Sequence, residues 1–188
     1  MKRNATMIGL LALMSTPALA DDTYGVDIDH SAVIFKAKHF NVGYTFGNFR
    51  KVDGTYSVEN GAPTSFNFTI PIDSLDSANE KRDQHLKSPD FFDAANHPNI
   101  TFTSTKVKKS SDTVYDVTGD LTMHGVTKPI TIPVEVTGEG DDPWGNHRTG
   151  MLATFTVNRG DFGINWGIED GAISADVEMI VSLEGIRK

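Results

Sequence analysis

Ile130-Thr131-Ile132-Pro133-Val134-Glu135-Val136 sets Ile, Ile, Val and Val on one side of the chain and Thr, Pro and Glu on the other. Successive side chains of a strand point to opposite faces, so this stretch predicts a strand with one buried face. The same rhythm recurs on both sides of it. Upstream, Phe66, Phe68, Ile70 and Ile72 alternate with Asn67, Thr69 and Pro71, and Ile100, Phe102 and Ser104 alternate with Thr101 and Thr103. Tyr115, Val117 and Leu121 share a face just before the opening stretch. Downstream, Met151, Ala153, Phe155 and Val157 form one face, then Val177, Met179, Val181 and Leu183 another.

Two earlier strands are expected near Ala32–His39 and Asn48–Val58, bringing the total to about eight. Asn60-Gly61, Gly138–Trp144, Asn158–Asp161 and Asp170-Gly171 punctuate them. Many antiparallel strands with one apolar face each make a sandwich or a barrel, and closure removes the exposed sheet edges. Eight strands enclose a lumen that side chains fill or that holds one small ligand. Alternation does not say which face is inside, so a small outer-membrane barrel is a second solution. Four Tyr and two Trp are few for the aromatic girdles such a barrel carries.

The rhythm breaks between Ser77 and Phe102. Ser77 with Glu80 has the spacing of a capping box, which predicts a helix start there. Pro89 predicts its stop, with Ser88-Pro89 placed to cap a second short turn. Phe91-Phe92 follows at once, at a cavity mouth or as a core plug. Adjacent helical residues diverge by about 100°, so Arg82 and Asp83 are expected to serve different partners, one of them anchoring the helix across the barrel end.

The chain begins with a basic Lys2-Arg3, an apolar run from Ile8 to Met14 and Ala18-Leu19-Ala20. That is the pattern of a signal peptide over 1–20, cleaved after Ala20, and predicts export to the periplasm. The mature domain, 21–188, has 168 residues, 15 Lys and Arg against 25 Asp and Glu, and a formal charge of −10. Such a chain is repelled by phosphate backbones, which argues against nucleic acid as a partner. No transmembrane segment is expected after cleavage, since the only sustained apolar run is far short of a bilayer span. Cysteine is absent, which excludes disulfides, thiolate metal sites and thiol nucleophiles.

Further motifs run the length of the mature chain. They include His30-Ser31, Phe35, Gly47, Arg82-Asp83-Gln84-His85-Leu86 and Asp90-Phe91-Phe92, then Gly119-Asp120-Leu121 and His124-Gly125-Val126-Thr127-Lys128-Pro129. Asp141-Asp142-Pro143-Trp144-Gly145, Arg159, Asp161-Phe162-Gly163 and Glu184-Gly185 follow. In this order the chain resembles the YceI-like family of exported lipid- or polyisoprenoid-binding proteins. The resemblance implies an all-β fold: an extended, lipocalin-like, eight-stranded antiparallel barrel with one or two short helical segments and a long apolar cavity. It also implies an apolar lipid ligand with a polyprenyl tail, plausibly quinone-type. Burying one isoprene unit gains roughly 3–4 kcal/mol before ordering costs, so a few units suffice.

By inward phase the lining is expected from Phe66, Phe68, Ile70, Phe102, Ile132, Val134, Phe155, Val177 and Met179. Phe91, Phe92, Phe162 and Trp166 are candidates for the mouth. No catalytic or metal-binding residues are assigned, no cofactor is required, and a homodimer is left open. Asp29-His30-Ser31 holds triad residue types on diverging positions, with no G-x-S-x-G elbow, so Asp29 and His30 are expected to hydrogen-bond backbone where the barrel begins. The six histidines show no metal-ligand spacing. An enzyme with a His and carboxylate site at the barrel mouth is the remaining alternative, recognisable by such groups clustered beside a pocket.

Overall fold

A computed structural model describes residues 21–188; the segment 1–20, expected to be a signal peptide, lies outside the described residues. The opening stretch is the middle of a long strand, β9 (Val126–Asp141). Before it come β1 (Asp22–Val26), β2 (Ala32–His39), β3 (Gly43–Phe49), β4 (Asp53–Glu59), β5 (Ala62–Pro71) and β6 (Leu75–Asp76). One helix, α1 (Glu80–Lys87), precedes β7 (Asn99–Lys109) and β8 (Val114–Met123). After β9 come β10 (His147–Asn158) and β11 (Ile173–Arg187).

All pairings are antiparallel. The order β1-β4-β5-β7-β8-β9-β10-β11 closes because β11 pairs back onto β1. The remaining strands lengthen the same wall. β11 meets β1 at Gly185↔Val26 and β2 at Ser182↔Ala32, β2 pairs with β3, and β3 with β6. The barrel therefore has eight wall positions, three of them built from two strands with a break. Those breaks correct the early readings. The strand expected over Asn48–Val58 is two strands, β3 and β4, separated where the Arg50 amide donates to the Ser74 carbonyl (2.9 Å). β1 was not anticipated.

Local chemistry sets the turns. Asn60-Gly61 joins β4 to β5 and His124-Gly125 joins β8 to β9, with both residues of each pair at positive φ. Two-residue hairpins need that geometry to match strand twist. On β9, Ile132 and Val134 are buried while Thr131, Pro133 and Glu135 are exposed. The apolar face is the inner one, the reverse of an outer-membrane barrel, so that alternative fails. Among the described residues no helix is long and apolar enough to cross a membrane.

The up-and-down path sorts the connections into two ends. One end carries the β2–β3 turn, the whole segment 77–98, the His124-Gly125 turn and the segment 159–172. The other carries the turns at 60–61, 110–113 and 142–146 and both ends of the described chain.

Candidate functional site: an apolar cavity open at one end

The lumen holds a cavity of about 660 Å³, within the roughly 300–1,000 Å³ of small-molecule sites. Every one of the nine residues expected from inward phase borders it: Phe66, Phe68, Ile70, Phe102, Ile132, Val134, Phe155, Val177 and Met179. Phe91, Phe92 and Trp166 border it as well. Phe162 does not, and its expected place at the mouth is corrected. It ends a 3-10 turn, Arg159–Phe162, stopped by Gly163 at φ 78°, and is buried in the same cluster as Val33, Ile72 and Ile164.

The lumen stays open because large rings lie along the wall rather than across it. A Cβ at Gly47 would overlap the Phe35 ring, and one at Gly119 the Phe102 ring. Each phenyl thus lies flat on the bare backbone of the neighbouring strand. Val33, Phe35 and Ala37 also line the cavity and were missed. Their alternation is masked by Ile34, an apolar residue on the opposite phase, so the inward face of β2 is ambiguous in the sequence.

One end is closed. Tyr24 and Tyr56, each 1% exposed, stack with centroids 5.4 Å apart and planes 7° from parallel. The Tyr56 hydroxyl donates to the Thr149 carbonyl (2.8 Å), and its ring occupies the place a side chain at Gly185 would take. Burial pushes both phenols above their ordinary range. Outside this plug, Arg148 donates to Asp142, Asp27 and Glu184, each at 2.6 Å. Desolvation opposes the charge on Asp142, but hydrogen bonds from Arg148 and Asn146 outweigh it and hold the carboxyl well below its usual range. Arg148, and after it His30, likewise lower Asp27.

The open end is built on α1. Its N-cap is Asn79, whose side chain accepts from the Arg82 amide (3.0 Å), so the capping box expected at Ser77 is corrected by two residues. Ser77 serves another purpose. Arg82 donates to its hydroxyl (2.7 Å) and carbonyl (2.6 Å), while Asp83 accepts from its amide (2.9 Å) and hydroxyl. Arg82 and Asp83 therefore converge on one partner, not two, because the chain before the helix folds back between them.

Beyond the helix, the Phe91 and Asp93 amides both donate to the Ser88 carbonyl, which makes the second turn. That turn sets Phe91 edge-on to His85 (5.0 Å) and 5.3 Å from Trp166. Arg159 lies under the same ring (5.7 Å) and is 5% exposed. It donates to the carbonyls of Ser174, Ile164 and Ile173, tying the segment after β10 to β11.

The expected bonds of Asp29 and His30 are also redistributed. Asp27 caps the turn there by accepting from the Asp29 amide, His30 pairs with the Asp27 carboxylate (2.9 Å), and Ser31 donates to the Asp27 carbonyl (2.7 Å). Asp27, His30 and Glu184 form the one metal-like cluster among the described residues, and Arg148 occupies it with bonds to both carboxylates. Beside the cavity, His85 pairs with Asp90 (2.9 Å). The Asp90 amide also donates to the Ser88 hydroxyl (3.3 Å), and the hydroxyl of Ser77 faces Arg82 and Asp83. The geometry offers a container lined by apolar side chains.

Residues 24–185 match the family described as YceI-like domain. A UPF0312 protein of Pectobacterium atrosepticum is 38% identical over 185 residues, covering 97% of this chain and 95% of its own. Among solved structures, Burkholderia cenocepacia BcnA superposes with a TM-score of 0.77 at 24% identity, covering 85% of this chain and 98% of BcnA. A polyisoprenoid binding domain from Saccharophagus degradans superposes at 0.68 with 17% identity, over 88% and 98% of the two chains. Matched over nearly its whole described length, in sequence and in barrel topology, this chain belongs to the YceI-like family.

Proposed function

We propose that this protein binds a long apolar lipid of polyisoprenoid type, such as a quinone, inside the barrel for carriage or storage, without catalysis. One observation carries the reading. The cavity wall is apolar from the tyrosine plug upward, and its charged residues come from the elements at the open end. An apolar cavity bounded this way holds a tail by burial alone, and needs no cofactor. The Saccharophagus degradans domain with the same fold is described as polyisoprenoid binding, which supports the same ligand class. The leader-like pattern over 1–20 supports a periplasmic location, where such a container would carry an insoluble lipid through water.

The test is native mass spectrometry with lipid extraction of protein purified from its own periplasm. An apolar ligand of isoprenoid mass is expected, on a chain beginning at Asp21. Ala153, buried on the cavity wall, supplies the control. Ala153→Trp should fill the lumen and lower isoprenoid capture at least about tenfold while circular dichroism stays that of a β-barrel. Protein that carries no apolar ligand and takes up no added prenyl lipid would refute the reading.

A further inference from the structure

Strand β3 reverses the pattern of β9. Its outward residues are Tyr44 and Phe46, both more than half exposed, while Thr45 and the bare Gly47 turn to the lumen. Immediately before them, the turn from β2 presents Phe40, 59% exposed, and Val42, 89% exposed. Four of the seven large apolar residues exposed among the described residues thus fall within residues 40–46. Another of the seven, Trp166, belongs to the same end of the barrel, where the Phe40 amide donates to the Ala172 carbonyl (2.9 Å) and ties the turn to the segment 159–172. Residues 40–49 include no charged side chain, although the chain carries 25 acidic and 17 basic residues.

The turn itself is built against local preference. The Val42 amide donates to the His39 carbonyl (3.0 Å), with Phe40 at φ 47° and Asn41 at φ 55° between them. A two-residue turn of this hand favours Asn and Gly, and a phenylalanine in the left-handed region is strained. The chain nevertheless keeps a phenyl there, exposed at the lip and bordering the cavity at once. Single apolar residues on a surface need no explanation, but a contiguous run marks a site of contact. Residues 43–47 pair with β2 alone, since β6 reaches β3 only at Asn48 and Phe49.

We propose that this lip docks on the surface of a lipid bilayer, with its aromatic side chains seated at the headgroup level and the cavity mouth turned to the membrane. The inference rests on the lipid-cavity reading and deepens it, by naming the partner with which a cargo too apolar for water is exchanged. Continuity carries the choice. Phe40 and Trp166 border the cavity and are also exposed outside it, so one apolar surface runs from the lumen onto the lip. Tyr and Trp, apolar rings with a polar tip, prefer the membrane–water boundary. By their fractional exposures Phe40, Val42, Tyr44 and Phe46 offer on the order of 400 Å² together, about half of what each partner buries in a stable dimer. A second copy of the chain is therefore the poorer fit, whereas a small apolar surface suffices for reversible membrane contact. With a formal charge of −10 expected for the mature chain, burial and not attraction to anionic lipid must supply that contact.

The test floats the mature chain with vesicles of phosphatidylethanolamine and phosphatidylcholine, and with the same vesicles carrying phosphatidylglycerol. Binding to the neutral vesicles is expected, little changed by salt and no stronger on the anionic ones. The two tryptophans lie at opposite ends of the barrel, so brominated lipid reports orientation. It should quench Trp166 in a Trp144→Phe variant and leave Trp144 unquenched in a Trp166→Phe variant. Val42→Ser, Tyr44→Thr and Phe46→Thr together should lower vesicle binding about tenfold or more while circular dichroism stays that of a β-barrel. Val42→Ser alone, in an exposed turn, should lower it severalfold. None of these three residues borders the cavity. The triple variant should therefore still capture geranylgeraniol added in ethanol, but take it from vesicles about tenfold more slowly or worse.

Unchanged vesicle binding by the triple variant, quenching of Trp144 in place of Trp166, or binding confined to anionic vesicles and abolished by salt would overturn the docking surface. A parent chain that ignores vesicles would overturn it too, and a dimer that the triple variant dissociates would then assign the lip to a second copy. In either case capture from ethanol would leave the lipid cavity standing. Vesicle docking through the lip without capture of geranylgeraniol by either route would refute the cavity reading and uphold the surface.

Discussion

The two ends of the barrel use the same residue type in opposite ways. At the closed end Arg148 is surrounded by Asp27, Asp142 and Glu184, and behind it Tyr24 and Tyr56 stack to seal the lumen. At the open end Arg159 is more deeply buried than Arg148, yet it meets only carbonyls and the face of Phe91. Charge is met by carboxylates at the closed end and by main-chain carbonyls at the open one. The aromatic residues follow the same division. Tyr56 spends its hydroxyl on an internal bond, whereas Phe91 and Trp166 bring apolar rings to the mouth with His85 between them. The closed end is thus held by charge pairs and a buried hydroxyl bond, and the open end is faced with apolar rings.

That contrast is open to direct attack. The largest effect is expected from Tyr56→Ala, which removes the stack, the bond to Thr149 and the cover over Gly185. It should lower unfolding free energy by about 4 kcal/mol in urea titrations. Phe91→Ala should cost less, about 2 kcal/mol, because the residues around it border open volume and can relax into it. Equal losses at the two sites would mean that the mouth is packed like the plug, and would break the comparison.

Arg148→Gln comes next and is read through pH. Asp27 and Asp142 are held below the ordinary 3.8, so their contribution to stability is present above that value and lost as pH falls through their folded values. Without Arg148 the carboxylates lose their counter-charge, and protonation relieves their repulsion. The variant should melt well below the parent near neutrality, and the gap between the two Tm values should start to narrow only below 3.8, as pH falls toward the lowered folded values. A constant difference across that range would show that Arg148 acts by packing alone.

The smallest effect is expected at His30. Its hydrogen bond and charge interaction with Asp27 raise its pKa above 6.5. Its contribution is therefore complete below 6.5 and fades as pH rises through the folded value. His30→Gln should move Tm by less than about 2 °C at acid pH and by nothing at alkaline pH, as expected for an exposed pair.

Much of the fold was legible because strand alternation is a local property. Ile130 to Val136, Met151 to Val157 and Val177 to Leu183 each carry their apolar phase on their own, and Asn60-Gly61 announces its hairpin. Legibility stopped where a neighbour in space decides. Ser77 and Glu80 have the spacing of a cap, yet Asn79 takes that role because Ser77 is held by both Arg82 and Asp83. Phe162 looked like a mouth residue beside Trp166, but a 3-10 turn and Gly163 direct it into the core. β1 and the breaks in the early strands were hidden because their pairing partners, β11 and β6, lie far away along the chain.

The sequence by itself determined an all-β chain of about eight one-faced strands, interrupted once by a polar helical segment, and carried the order of motifs that marks its family. Side-chain period and turn chemistry suffice for that, since both act between near neighbours. Only the tertiary structure decided that the apolar faces point inward, that the lumen is open at one end, and that Arg148 meets carboxylates while Arg159 meets carbonyls. Those properties belong to the closed ring. Whether a phenyl lies along a glycine or across the axis, and whether a carboxylate reaches a guanidinium, depends on strands that meet only when β11 closes onto β1.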